Sequence, residues 1–139
     1  MKVLKRNGSH EPMKFDKITS RMRRFMKGLS EKVVADKVAQ QVFAGLYDGI
    51  SSKEINTLAA EVAIGMVTDD PDYEKLATKI VINTLHKNCP DTFFNAMTIL
   101  HNEGILASDV IKSIEENQNV IEAAIKQRRD YDFGYFGLK

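Results

Sequence analysis

Lys5-Arg6-Asn7-Gly8-Ser9-His10-Glu11-Pro12-Met13-Lys14-Phe15-Asp16-Lys17-Ile18 packs a cationic pair, a tight turn and a helix start into one short stretch. Asn7-Gly8 is the strongest short-range hairpin signal, because a type I′ turn needs positive φ at both central residues and Asn and Gly tolerate it best. Val3 and Leu4 supply an apolar strand before the turn. Met13 and Phe15 alternate with polar neighbours after it, in the manner of a half-buried strand. Asp16 then reads as an N-cap, its carboxylate accepting from the free N–H groups of a helix over about Lys17 to Lys27. Lys5 and Arg6 lie beside the turn, and the helix start adds N–H donors and the positive end of a dipole, so the layout suits a polyphosphate. An ordinary hairpin with solvated charges would present the same residues.

Charge is balanced overall, with 20 Lys or Arg against 19 Asp or Glu, but unevenly spread. Residues 1–30 hold nine Lys or Arg against Glu11 and Asp16 alone, and the remainder is acidic. That asymmetry points to an anionic partner for the N-terminal part. DNA or RNA comes into question through Arg21, Arg23 and Arg24 on the first helix. No recognised nucleic-acid motif or aromatic stacking platform accompanies them, so nucleic acid is disfavoured and Arg23 and Arg24 read as a solvated basic face. The 139 residues allow one domain with a real core, or a small domain with a helical appendage. With no apolar signal-peptide core and no run of about 18 apolar residues, the expectation is a soluble cytoplasmic protein without a membrane partner. Cys89 is the only cysteine, which excludes an internal disulfide and a Cys-x-x-Cys pair; it reads as structural, and no residue is assigned as a metal ligand.

Beyond the hairpin the chain reads as successive helices. Ile18, Met22, Phe25 and Leu29 stripe the first, and Val34, Val38, Val42 and Leu46 a second over about Glu31 to Tyr47. A capping box opens the third, with Ser51 as cap and Glu54 reaching back, ahead of Ile55, Leu58, Ala59, Val62 and Met66. Pro71-Asp72 interrupts the pattern, and a fourth helix over about Asp72 to Lys87 turns Tyr73, Leu76, Ala77, Ile80 and Thr84 inward. Cys89-Pro90 marks a boundary. The expected domains are therefore residues 1–89, a β-hairpin capping four helices, and residues 90–139, a small helical region. In the latter, one helix spans about Asp91 to Asn102, Ser108 caps a second, and a third ends at Arg128-Arg129. The fold class is mainly α (α+β), ending in an extended tail with four aromatics, Tyr131, Phe133, Tyr135 and Phe136. Such an end either folds back on the helices or is buried in a partner.

Several blocks in register make the N-terminal region resemble an ATP-cone, the regulatory nucleotide-binding domain of ribonucleotide reductase. They are Val3-Leu4-Lys5-Arg6-Asn7-Gly8, Phe15-Asp16-Lys17-Ile18, Gly45-Leu46-Tyr47-Asp48-Gly49, Leu58-Ala59-Ala60-Glu61, Pro71-Asp72-Tyr73 and Asn83-Thr84-Leu85-His86-Lys87. Past the cone, Arg129-Asp130-Tyr131-Asp132-Phe133-Gly134-Tyr135-Phe136-Gly137 is similar to the segment leading into the catalytic barrel of the class I large subunit.

The resemblance implies allostery by ATP or dATP, with Mg²⁺ carried by the triphosphate. It implies that Lys5, Arg6, Lys17 and Lys87 meet phosphate oxygens, and that Glu11 and the backbone around Asp16 read the adenine edge. Ile18 and Val3 would cover the adenine face, and Ser52 would meet ribose or phosphate; Ile18 and Ser52 also read as a core residue and a first-turn residue. Asn56 stands where the family often has an acidic residue or histidine involved in telling dATP from ATP, which implies binding with weakened discrimination. The family's catalytic cysteines belong to a barrel that these residues do not include, so this chain alone is expected not to reduce nucleotides. Its expected partners are an adenine nucleotide and the remainder of a reductase large subunit in cis or trans, with an effector-dependent oligomer also allowed. A stand-alone ATP-cone regulator, and a structural or assembly module without nucleotide, are the rival readings.

Overall fold

In the computed structural model, which describes residues 1–139, strands β1 (Lys2–Leu4) and β2 (His10–Pro12) pair antiparallel with Val3 opposite Glu11. The hairpin is the expected one, but its turn is not type I′. The Gly8 N–H donates to the Lys5 carbonyl at 2.9 Å, the Lys5 N–H donates to the Ser9 carbonyl at 2.8 Å, and Gly8 alone in this loop has positive φ. This is a four-residue turn followed by a glycine bulge, a longer hairpin loop in which only the glycine needs the left-handed region. Asn7 acts through its side chain: Oδ1 accepts from the Ser9 N–H at 3.0 Å and the Ser9 hydroxyl at 2.7 Å.

Phe15, expected on the second strand, instead begins helix α1 (Phe15–Phe25), and its ring meets Phe43 edge-on at 4.9 Å between centroids. That aromatic contact sets the helix start earlier than the expected Asp16 cap. Asp16 lies inside the first turn, and Lys14 takes the cap position without a side-chain cap bond. The other end of α1 is better served. Lys79 Nζ donates to the carbonyls of Phe25 at 3.1 Å and Lys27 at 2.8 Å, setting a cation on the orphan carbonyls. The N-terminal dipole end of α1 is left without a side-chain cap.

Helices α2 (Ala35–Ala44), α3 (Ser52–Gly65) and α4 (Asp72–Asn88) complete the group; α1 packs on α2, and α2 on α3. The start of α2 falls later than the valine stripe suggests, because the preceding segment is bonded to α4. The Ser30 N–H donates to Asp72 Oδ2 at 2.8 Å and the Val34 N–H donates to the Tyr73 hydroxyl at 3.1 Å, which buries Val33 and leaves Val34 outside. The capping box of α3 forms as expected: the Glu54 N–H donates to Ser51 Oγ at 3.1 Å and the Ser51 N–H to Glu54 Oε2 at 2.9 Å. One core joins these elements, with Val3, Ile18, Met22, Val38, Val42, Ile55, Tyr73, Leu76 and Ile80 among its members. The fold is mainly α with an N-terminal hairpin.

Two of these contacts carry a pH dependence. Hydrogen bonds from Ser51, then from the Tyr47 hydroxyl, hold the Glu54 carboxylate below its ordinary range. Lys75 and then the Ser30 N–H do the same for Asp72. A depressed folded pKa means the unfolded chain binds more protons as the pH falls through the carboxylate range; the stability is present above that range and lost through it. Urea denaturation from about pH 6 to pH 2 is expected to show this decline, with a shallower slope in Glu54→Gln. An unchanged slope in the variant would remove Glu54 from the acid response.

By its internal contacts the chain divides into Met1–Thr84 with Phe133–Lys139, and Leu85–Asp132. In the second unit α5 (Phe93–Asn102) packs on α6 (Ser108–Glu116) and α7 (Gln118–Ala124), ahead of a 3-10 helix at Gln127–Asp132. Thr92 caps α5, accepting from the Asn95 N–H at 3.1 Å. Ser108 does not cap α6: Ala107 holds that position and Ser108 is already helical. None of this unit's side chains is fully buried, and Ile99, Ile105, Val120 and Ile125 are exposed. Its ends are joined by His86 Nε2 and Asp130 Oδ2 at 2.7 Å.

The aromatic tail coils rather than extends. Its last residues return to the first unit as α8 (Tyr135–Leu138), where Tyr135, 4% exposed, joins the core while Phe133 and Phe136 remain 56% and 75% exposed. A helical turn sends adjacent side chains to different faces, so one aromatic anchors the segment and its neighbours point outward.

Candidate functional site

Backbone pairing between the hairpin and the α2–α3 loop builds the site. Leu4 bridges Ser51 in parallel, the Leu4 N–H donates to the Ile50 carbonyl at 3.0 Å, and the Gly49 N–H donates to the Lys2 carbonyl at 2.9 Å. This register carries Lys5 to the start of α3, where Ser52 follows the cap. The connection after β2 then brings the uncapped N-terminus of α1 to the same place.

The resulting cleft is lined by Val3, Lys5, Glu11, Lys17, Ile18 and Ser52 together with Pro12, Met13, Lys14, Arg21 and Ile55. Residues assigned from three separate stretches of sequence thus share one wall. Val3 and Ile18 belong to the core and to the cleft at once, giving it an apolar floor. Lys5 and Glu11 face each other across the hairpin, with Nζ and Oε2 at 3.3 Å. That pair is partly exposed, so an incoming anion competes for Lys5 against a modest interaction.

The other assigned residues lie elsewhere. Arg6 is exposed in the hairpin turn. Asp16 lines a neighbouring groove with Lys17, Ser20, Arg21 and Arg24. Asn56 does not reach the cleft wall; it is 5% exposed, and its Oδ1 accepts from Arg21 Nη1 at 2.6 Å. Lys87 stands in the last turn of α4, within the Leu85–Asp132 unit.

Arg21 is the residue that sequence reasoning missed as a site member. Its position one turn after Lys17 on α1 was the available signal, since residues four apart share a helix face. It lines both the cleft and the groove, and its only side-chain acceptor in the fold is the neutral Asn56. Burial, with Arg24 and then Arg6 adding like-charge repulsion, lowers its pKa from the ordinary arginine value. A guanidinium held this way stays charged and lacks a counter-ion. Arg23 differs: it is engaged with Asp36 of α2 through Nε at 3.1 Å and Nη2 at 2.9 and 3.0 Å.

Chemically, this is a small, net cationic recess with an apolar floor, one carboxylate, one hydroxyl and a free helix start, suited to a flat apolar ring joined to phosphates. No group of three or more His, Cys, Asp or Glu converges to hold a metal ion, and no helix is long and apolar enough to cross a membrane.

The chain is 36% identical to the ribonucleoside-diphosphate reductase large chain 2 of Saccharomyces cerevisiae across its whole length, covering 17% of that protein. It is 37% identical to the ribonucleoside-diphosphate reductase large subunit of Caenorhabditis elegans over 99% of its length, and 36% identical to that of Vaccinia virus over all of it, covering 19% of each. The chain therefore spans less than a fifth of the length of these relatives, matching their N-terminal part. The ATP cone domain matches residues 1–88, which contain the hairpin, the cleft and its groove, and the chain belongs to the ATP-cone family.

Proposed function

We propose that this chain is an adenine-nucleotide sensor that regulates the overall activity of a ribonucleoside-diphosphate reductase, as part of its large subunit, and that it performs no catalysis by itself. The observation that carries the reading is the convergence of Lys5, Glu11, Lys17, Ile18 and Ser52 on one cleft with Arg21. Membership of the ATP-cone family supports an adenine nucleotide as the ligand, and likeness to reductase large subunits supports a reductase as the enzyme regulated.

In this reading the adenine lies over Val3 and Ile18, its edge is read by Glu11 and the backbone around Asp16, and Ser52 meets the ribose or a phosphate. Lys5, Arg6 and Lys17 take the phosphates; Lys87 enters on the family resemblance. A Mg²⁺ ion arriving with the triphosphate would be held by phosphate oxygens and water, because the chain offers no cluster of metal ligands. The remainder of the large subunit, in cis or trans, is the partner that receives the signal, in the cytoplasm.

Asn56 acts on nucleotide choice through Arg21. An amide holds the guanidinium with a neutral hydrogen bond, whereas a carboxylate would hold it in a stronger charged pair and draw it away from the nucleotide. Calorimetric titration with ATP and dATP is expected to show binding of both, within about tenfold of each other, and a wider ratio in Asn56→Asp. Absence of any binding would leave the fold as a structural module. A strong dATP preference that Asn56→Asp does not alter would remove Asn56 from discrimination.

A further inference from the structure

We propose that Phe133–Lys139 is a strap whose docking on α3 and α4 is linked to nucleotide binding, so that an occupied cleft tightens the strap and a docked strap tightens the nucleotide. The inference rests on the nucleotide reading of the cleft and goes beyond it, to the way binding there is passed on.

The strap is held by one side chain. Tyr135 is the only residue after Ile82 that is fully buried, and its ring joins the core formed by the hairpin and the first four helices. Around it the contacts are slight. Gly134 lies so close to Glu74 of α4 that a Cβ there would stand 2.7 Å from Oε1. Lys139 Nζ is 5.4 Å from the centre of the Tyr135 ring and 3.8 Å from Glu61 Oε1 of α3, an ion pair whose side chains are 48% and 55% exposed. An exposed pair of this kind holds weakly. Phe133 and Phe136 point away from the core. One buried ring thus opposes the backbone entropy of a segment that otherwise rests on the surface, which makes the strap an element able to open without unfolding the rest.

Helix α3 joins the strap to the cleft. Ser52 and Ile55 line the cleft from its first turns, and Glu61 meets the strap about 13 Å further along the axis. The helix is continuous from Ser52 to Gly65, with its first turn fixed by the capping box. A nucleotide that draws on Ser52 therefore orders the same helix on which the strap packs. An element ordered by one partner is easier to order by the next, which is positive coupling without a change of shape. In the reductase large subunits whose N-terminal part this chain matches, the corresponding segment is followed by the rest of the protein. A strap tightened by nucleotide lies on that route.

The test measures hydrogen–deuterium exchange of residues 133–139 in the full chain, without and with saturating ATP, beside calorimetric titration of ATP into the wild type, Tyr135→Ala and Tyr135→Phe. ATP is expected to slow exchange in the strap about fivefold, above all at the Gly137 N–H that donates to the Gly134 carbonyl. Tyr135→Ala should weaken ATP by about the same factor, because coupling between two sites is reciprocal. Tyr135→Phe keeps the ring and should bind as the wild type does. Exchange of the α3 amides in the apo variants reports whether the fold is intact; if Tyr135→Ala does not fold, strap exchange in the wild type decides alone. ATP binding that leaves strap exchange unchanged, or full ATP affinity in a folded Tyr135→Ala, overturns the linkage and leaves the nucleotide reading standing. Failure of ATP to bind the wild type overturns both.

Discussion

Lys17→Glu is expected to abolish the rise in melting temperature that ATP produces in the wild-type chain. A ligand bound only by the native state at about 100 times its dissociation constant adds about 2.7 kcal/mol of stability. For a domain of 60–100 residues that is roughly 10–20 °C. Lys17 lines both recesses of the site, so reversing its charge replaces an attraction for phosphate with a repulsion. At about 4 Å and an effective dielectric near 20, each such pair is worth on the order of 4 kcal/mol before screening. Even a fraction of that difference lowers affinity a hundredfold or more.

The apo protein separates this effect from damage to the fold. Lys17 is exposed in the first turn of α1, where an acidic residue suits the helix dipole, so the unliganded melting temperature should stay level or rise slightly. An ATP response that survives Lys17→Glu would place the nucleotide elsewhere.

Tyr73→Ala is expected to produce the largest loss of stability of any single change considered. Tyr73 is 1% exposed, and its hydroxyl accepts from the Val34 N–H that precedes α2. Removing a buried aromatic side chain costs about 3–5 kcal/mol, and the stranded N–H adds about 1 kcal/mol. Against the roughly 5–15 kcal/mol that stabilises a typical domain, this is a large share, corresponding to a fall of about 15–45 °C. Tyr73→Phe keeps the ring and loses only the acceptor, so its cost should be about 1 kcal/mol. Thermal denaturation followed by circular dichroism measures both. A fall of less than about 5 °C in Tyr73→Ala would mean that the core is not organised around this ring. Because Tyr73 does not line the cleft, ATP affinity measured where the variant remains folded should change by less than about twofold.

The capping box at Ser51 and Glu54 was legible because both hydrogen bonds run between residues three apart, and the residue types fix them locally. Val38, Val42, Tyr73, Leu76 and Ile80 were legible as core because periodicity reports which face of a helix is apolar. The misread positions share a cause. Phe15 left the strand pattern for α1 because of a ring on α2, and Val34 gave its buried place to Val33 because of a hydroxyl on α4. Asn7 kept to negative φ because Gly8 alone absorbed the loop's left-handed residue. Tyr135 looked like one of four equivalent tail aromatics until the return of the chain placed it in the core.

The same division holds for the site. Residue type and local order determined which side chains could serve a nucleotide: Lys5 and Arg6 beside a turn, Lys17 at a helix start, Ser52 behind a cap. These depend on interactions among neighbours along the chain. Their convergence was a matter for the tertiary structure, because it depends on the Leu4–Ser51 bridge between segments that no local pattern connects. The fold also placed Arg21 at the junction of cleft and groove and set Asn56 behind it rather than at the wall. Both follow from the bond between Arg21 of α1 and Asn56 of α3, where burial and a single hydrogen bond override what residue type alone suggests.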